Sequence, residues 1–433
     1  MQSPASPTPL KHDPYAALRI PSFFAYSFGW VAAIFGQQMA NVALGWDVWE
    51  RTHSELSLGW IGLTQALPVI ALALPAGQIA DRFDRRRVVM ITQVLGSICA
   101  MVLAFISYHH LPVAYIYGIL VLGATAAAIG GPSRSALLPQ IVPTTAFSNA
   151  VGWNSSFFQM ASVVGPVVGG FLLLYSTWAV YLLDALLALV FALSLIGVKV
   201  RPIEGARKEP ATLRTLTEGV RFVWNNQIIL ATITLDLFAV LLGGAVFLLP
   251  VFADRLGVGK AGLGWMRMAP AAGAVLMALV VNHLPPMKNA GRAMLYAVAG
   301  FGAATIVFGL APWYWLAMTA LFFTGAFDQI SVVVRHTLVQ VLAPDAMRGR
   351  VSAVNNVFIG ASNELGGFES GLTARVFGPV TSVVAGGIGT ILVVIGAAFA
   401  WPQLRKFGSL HDAKPIEHTP AAEPSLKPAE SSH

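Results

Sequence analysis

Charge is scarce in this 433-residue chain: Asp, Glu, Lys and Arg make up 11% of it, against 56% hydrophobic residues. Soluble domains carry roughly 25% charged residues, so most of this chain has no water-facing surface to offer. Cysteine is scarcer still. The single Cys99 excludes a disulfide framework and any cysteine-based metal site. No G-x-x-x-x-G-K-[ST] phosphate loop is present, which argues against nucleotide hydrolysis. His109-His110 is a short pair without further ligands at suitable spacing, so no metal site is expected. No Ser/His/Asp constellation has a soluble scaffold to hold it. Neither an enzyme nor a cofactor is therefore expected. The net charge of +7 comes without a contiguous basic surface interleaved with aromatics, so nucleic acid is not an expected partner.

Hydrophobic runs are what the chain does have. Twelve of them, at about 20–48, 57–80, 87–108, 112–136, 146–174, 177–198, 228–252, 261–284, 291–310, 313–341, 350–376 and 380–402, are each long enough to cross a bilayer. A hydrocarbon core ~30 Å thick needs roughly 20 apolar residues in a helix, and the longer runs must tilt or extend into the interfaces. Basic residues gather after the even runs: Arg82, Arg85, Arg86 and Arg87, then Lys199 to Arg221, Lys288 and Arg292, Arg348 and Arg350, Arg405 and Lys406. The opposite loops hold little beyond Arg51, Arg255, Lys260 and Arg375. By the positive-inside rule both termini and the central loop are cytoplasmic, in a multi-pass protein of the cytoplasmic (inner) membrane whose obligatory partner is the lipid bilayer. No cleavable signal is visible, and the Pro/Ser-rich start reads as part of a cytoplasmic tail over 1–19, matched by a polar disordered tail over 405–433.

The chain also repeats itself. Shifted by about 201 positions, Arg134 falls on Arg335, Pro143 on Pro344, Asn154 on Asn355, Gly165 on Gly366 and Gly170 on Gly371. Coincidences at one offset, joining runs 4–5 to runs 10–11, imply two homologous six-helix halves at 20–198 and 228–404, separated by a charged linker at 199–227 with Pro202, Gly205 and Pro210. Paired helical halves moving about a midplane site are a transporter architecture.

Two motifs give that architecture a relative. Gly77-Gln-Ile-Ala-Asp81-Arg82-Phe-Asp84-Arg85-Arg86-Arg87 resembles the G-x-x-x-D-R-x-G-R-R signature of the major facilitator superfamily, with Asp84 where a glycine is usual. In the fifth run, Gly152, Ala161, Gly165-Pro166 and Gly169-Gly170 are similar to the antiporter signature G-x8-G-x3-G-P-x2-G-G of that superfamily, with Ala161 replacing one glycine. Arg134-Ser-Ala-Leu-Leu-Pro139 and Arg348-Gly-Arg-Val-Ser352 resemble the branch that includes enterobactin and macrolide exporters. The resemblance implies an all-α polytopic fold, twelve transmembrane helices in two pseudo-symmetric six-helix bundles, acting as a monomer on a small-molecule substrate. It also implies gating roles for Gly77, Asp81, Arg82, Arg85 and Arg86, and for Gly165, Pro166, Gly169 and Gly170. Asp81 is placed to meet the N-terminus of helix 11 near Gly349–Val351, whose dipole favours an anion. The arginines would pair with acids or with anionic headgroups. No good copy of the loop exists in the second half, where Asn282 and His283 stand at the offset of Asp81 and Arg82.

Intramembrane charge is costly and marks function by default. Asp328, Glu364, Glu369 and Asp236 are the candidates for proton coupling. Both glutamates fall where the first half has Val163 and Val168, so the halves are chemically unequal. A carboxyl alternating between a dry interface and a wet cavity changes its proton occupancy. Arg267 is expected in the outer third of helix 8, balancing Glu369 or another acid; Arg134 and Arg335 read as structural residues near helix ends. Residues 113–133 lack the helix-4 arginine of many proton antiporters, and the first run offers Gln37, Gln38 and Asn41 in place of an acid. Gln38, Asn41, Asn154, Phe158 and Arg267 are the candidates for substrate contact. The expected function is proton-coupled export of amphipathic small molecules, such as drugs or siderophore-like metabolites. Lipid or lysolipid translocation is the alternative, and a non-transporting membrane sensor or assembly factor a third.

Overall fold

The computed structural model describes residues 13–201, 213–285 and 287–408. Pro202, Gly205 and Pro210 of the expected linker, and residues 1–12 and 409–433 of the expected tails, lie outside them. Among the described residues every regular element is helical. In chain order they are α1 (Pro21–Thr52), α2 (Glu55–Arg82), α3 (Arg85–Tyr108), α4 (Val113–Ile141), α5 (Thr144–Leu172), α6 (Thr177–Ser194), α7 (Leu213–Asn225), α8 (Gln227–Leu242), α9 (Leu249–Arg255), α10 (Gly259–His283), α11 (Ala290–Leu310), α12 (Tyr314–Leu342), α13 (Asp345–Phe377), α14 (Pro379–Ala400) and the short α15 (Pro402–Arg405). Twelve spans result, with α8 and α9 together making the seventh.

Three local expectations change. The seventh span is broken, because Gly243-Gly244 ends α8 and a 3-10 turn over Ala245–Leu248 leads into α9, which has proline in its first turn. A side chain at Gly244 would meet the Ser370 hydroxyl at 2.7 Å, so the break sits where α13 passes. Part of the linker is itself a helix, α7, joined to α13 by the Glu218–Arg350 ion pair. The N-terminal tail is docked from residue 13: Asn149 accepts from the Ala17 amide at 3.0 Å and donates to Pro14 at 2.7 Å, and Trp153 donates to the same carbonyl.

Packing follows the small residues. Helix α1 lies on α5 and α6, α3 on α4 and α6, and α2 on α4; in the second half α10 and α11 lie on α12, α11 on α14, and α8 on α13. Two extensive seams join the halves, α2 with α13 and α5 with α10. At the end away from the termini one buried apolar cluster runs through both halves, from Met39, Leu58 and Tyr181 to Phe252, Leu263 and Phe308. Toward the termini the buried residues divide into two separate clusters, one per half. The molecule is therefore closed at the distal end and divided at the end that carries the termini.

Candidate functional site

Glycine sets the two seams. Gly165 and Gly169 of α5 face α1, where a side chain at Gly165 would stand 2.7 Å from Gln38 Cβ and one at Gly169 2.9 Å from Met39 Cα. Gly170, one residue on, faces the other half: a side chain there would stand 2.8 Å from Gly264 Cα and 2.9 Å from the Lys260 carbonyl. The second half repeats this. Gly366 of α13 backs onto α8 at Val240 and Leu241, while a side chain at Gly371 would stand 2.6 Å from Gly59 Cα and 2.7 Å from the Glu55 carbonyl of α2. Each repeat thus packs glycine on its own first spanning helix, through Gly165 and Gly169 in one half and Gly366 in the other, and grips the opposite half with a further glycine. Pro166 contributes its carbonyl to the contact with Gly264. Beyond the seams, Glu50 pairs with Lys260 at 3.2 Å and Trp49 donates to Asp254 at 3.3 Å, both across the halves at the distal end.

At the other end the loop arginines serve the first half. Arg85 donates to the carbonyls of Ala80 and Ala136 at 3.1 Å each, and Arg86 to that of Val198 at 2.9 Å. The Ala80 carbonyl lies in the last turn of α2 and that of Val198 beyond α6, where a guanidinium satisfies free acceptors, and the Ala136 contact ties the loop to α4. Arg85 also meets an acid, Asp81, as expected from sequence; the carbonyl contacts come in addition. Asp84 caps α3, accepting from the Arg87 amide at 3.1 Å, which accounts for an aspartate at a position where glycine is usual. Gly77 lies within α2. Asp81 is 3.9 Å from Arg85, so among the described residues its partner is in its own half, and Arg82 is exposed beside it.

Between the halves lies a cavity of about 80 Å³ lined by Asn41, Gln65, Phe247, Arg267 and Glu364 among others. Three of the residues singled out from sequence, Asn41, Arg267 and Glu364, meet here from α1, α10 and α13. Arg267 exerts its charge on Glu364 and reaches the Val246 carbonyl at 3.5 Å. The acid it acts on is Glu364 and not Glu369, and among the described residues the two form no ion pair. One carboxylate oxygen of Glu364 is buried with no hydrogen-bond partner among the described residues. Asp328 opens into a separate cavity of about 170 Å³ inside the second half, with Thr324 and Asn363.

Other candidates stand apart. Asp236 is held in a buried ion pair by Arg335, so it is spoken for inside the second half. Glu369 lines a cleft between α13 and α14 with Thr373, Thr381 and Ser382, on the far side of α13 from α2. Gln38 accepts from Asn41 at 3.4 Å and packs on Gly165, while its neighbour Gln37 is the one that faces a cavity. Phe158 is 50% exposed on α5, and Asn154 is turned inward with its side-chain oxygen unpartnered, neither of them lining these cavities.

The sequence reading named Asn41 in the first half but not the charged residues beside it. A cavity of about 220 Å³ inside α1, α3, α4 and α6 shares Asn41, Leu44 and Gln65 with the one between the halves. Arg134 and Asp184 both line it. Arg134 is placed inside the bundle over the Trp30 ring, 4.1 Å from its centroid, and is not a helix-end residue. Gln65 and Gln93, single amides in apolar runs, were the available signal. Among the described residues no group of three His, Cys, Asp or Glu side chains gathers as a metal site would need.

Comparison with known proteins fits this geometry. The enterobactin exporter EntS of Escherichia coli O1:K1 is 24% identical over 393 residues, covering 89% of this chain and 93% of the relative, and that of Shigella boydii serotype 18 matches equally. Among solved structures, a bacterial homolog of the human lysosomal transporter Spinster, inward-facing and occupied, superposes with a TM-score of 0.70 at 15% identity, covering 92% of this chain and 99% of that one. The nucleoside transporter NupG gives 0.69 at 15% identity over 89% and 99%, and a D-xylose–proton symporter 0.66 at 16% over 92% and 98%. At these identities the structures establish the fold. The family model of the Major Facilitator Superfamily matches residues 26–367, and the chain belongs to that superfamily, as a twelve-helix multi-pass membrane transporter and not an enzyme.

Proposed function

We propose that this protein exports amphipathic small molecules from the cytoplasm by alternating access, in exchange for protons, with both termini cytoplasmic in the inner membrane. The observation that carries the reading is the inter-half cavity, where Glu364 keeps an unpartnered carboxylate oxygen in reach of the Arg267 charge. A buried acid without a fixed partner exchanges its proton when the cavity is wetted from either side. A bound cationic or polar cargo then competes with the proton for the same carboxyl. Asp328, enclosed in the second half, is the second carboxyl of this reading, and Asp236 is structural. The positive-inside asymmetry supports the orientation, and the distal closure then corresponds to a cytoplasm-open state. The two halves are taken as the moving bodies, and the Asp81 contact with α13 as one that forms when the cytoplasmic side shuts. Siderophore-like cargo is supported by the likeness to enterobactin exporters.

The test uses purified protein in proteoliposomes loaded with a pH dye, under an opposing proton gradient. Cationic dyes, macrolides, catecholate siderophores and lysolipids are offered in turn. Substrate-dependent proton flux with one of them is the expected result, and cargo movement without proton flux overturns the coupling. A lipid or lysolipid cargo is favoured by one observation of its own. An apolar groove of about 260 Å³ opens between α2 and α13, lined by Ile70, Ala73, Val357 and Phe358, with Val220 of α7. Lysolipid transport with no response to the soluble compounds would select that reading.

A further inference from the structure

The cavity inside the first half holds two charges of opposite sign that do not meet. Among the described residues Asp184 has no hydrogen-bond or ion-pair partner, and Arg134 has the Trp30 face and the nearby Tyr26 phenol but no acid. Tyr181, the phenol nearest Asp184 in sequence, donates instead to Asp47 at 3.3 Å, and Asp47 is already paired with Arg51 at 2.6 Å. The other titratable groups lining this cavity are Cys99 and Arg134 itself. The repeat sharpens the contrast. Arg335, the counterpart of Arg134, is neutralised by Asp236. Arg134 has no such acid, so one half has silenced its arginine and the other has left it open to a cavity.

The two charges are spaced. Arg134 sits over Trp30 of α1, whereas Asp184 lies against Gly36 six residues further along the same helix. At 1.5 Å per residue that separation is roughly 9 Å. Unpaired charges away from bulk water are costly, and a ligand that brings both complements relieves both at once. We infer that the first-half cavity is a cargo subsite for dipolar molecules. The ligand's anionic group lies on Arg134 and its cationic or donor group on Asp184, with Gln37 and Gln93 along the wall. The shared Asn41 and Gln65 connect the subsite to the cavity between the halves, so a bound molecule has a route to the alternating pathway. This inference builds on the export reading and names the class of cargo.

Cys99 makes the subsite directly observable, because the chain's single cysteine lines it. The experiment measures the rate at which N-ethylmaleimide alkylates Cys99 in the full-length protein in nanodiscs. Three probes are compared: 8-aminooctanoate, whose charges are about one cavity length apart, and octylamine and octanoate, which each keep one charge. The dipolar probe is expected to protect Cys99 at about tenfold lower concentration than either single-charge probe, a difference of one charge-assisted hydrogen bond. Arg134→Gln should bring 8-aminooctanoate to the level of octylamine, and Asp184→Asn to that of octanoate. Unchanged thermal unfolding of each variant excludes collapse of the bundle. Equal protection by all three probes, or by none, overturns the inference, as does protection that survives both substitutions. Because the readout is binding, protection in a protein that moves no cargo would sink the export reading and leave the subsite standing.

Discussion

At the scale of single residues, the second half separates two kinds of buried charge. Asp236 and Arg335 form a closed pair, and removing one partner leaves the other uncompensated. Asp236→Asn should cost ~3–5 kcal/mol of stability, read as a lowered thermal unfolding midpoint, with much of it recovered in Asp236→Asn combined with Arg335→Met. Glu364 is the opposite kind, carrying a carboxylate oxygen with no fixed partner. Glu364→Gln should leave folding intact and abolish cargo-driven proton flux in proteoliposomes; coupling that persists in this variant rules Glu364 out as the exchanging group. The intramembrane position of these acids was legible from sequence. Their division into paired and unpaired was not, since Arg335 and Asp236 lie 99 residues apart and only packing brings them together.

At the scale of helices, the twin glycine steps were legible as close-approach sites, but their partners were not. Adjacent glycines on one helix point to different neighbours, Gly169 to α1 and Gly170 to α10, because successive residues are rotated about 100° around the axis. Gly170→Val should therefore prevent the distal seam from closing while leaving the α1 contact intact. Transport is expected to fall severely, and a cysteine at Leu263, buried in the distal cluster, should react faster with an impermeant thiol reagent in a Cys99→Ser background. Unaltered reactivity alongside normal transport would show that the seam does not gate. Two helices, α1 and α13, fall short of the apolarity that marks the other ten spans. Those are the helices that bring Gln37 and Asn41, and Glu364, to the cavities, and their polarity is spent on the interior.

At the scale of the whole molecule, one apolar cluster bridges the halves distally and two serve them separately near the termini. Alternating access requires that bridge to open. With Cys99→Ser as background, a short bifunctional thiol reagent across Glu50→Cys and Lys260→Cys should arrest transport, and cleaving the reagent should restore it. Full transport by the cross-linked protein would mean that the distal end need not separate.

The chain by itself determined the membrane, the number of spans, the repeat and the superfamily, because bilayer thickness, hydropathy and motif spacing are properties of order along one dimension. Tertiary structure decided which charges are neutral partners and which are open, that Arg267 answers Glu364, that Gln37 faces a cavity while Gln38 packs on Gly165, and that Arg134 and Asp184 share a chamber. Those outcomes depend on the rotation of each helix about its axis and on which neighbour it meets. A difference of one residue along the chain moves a side chain from a cavity to a packed seam, and nothing local to the sequence records it.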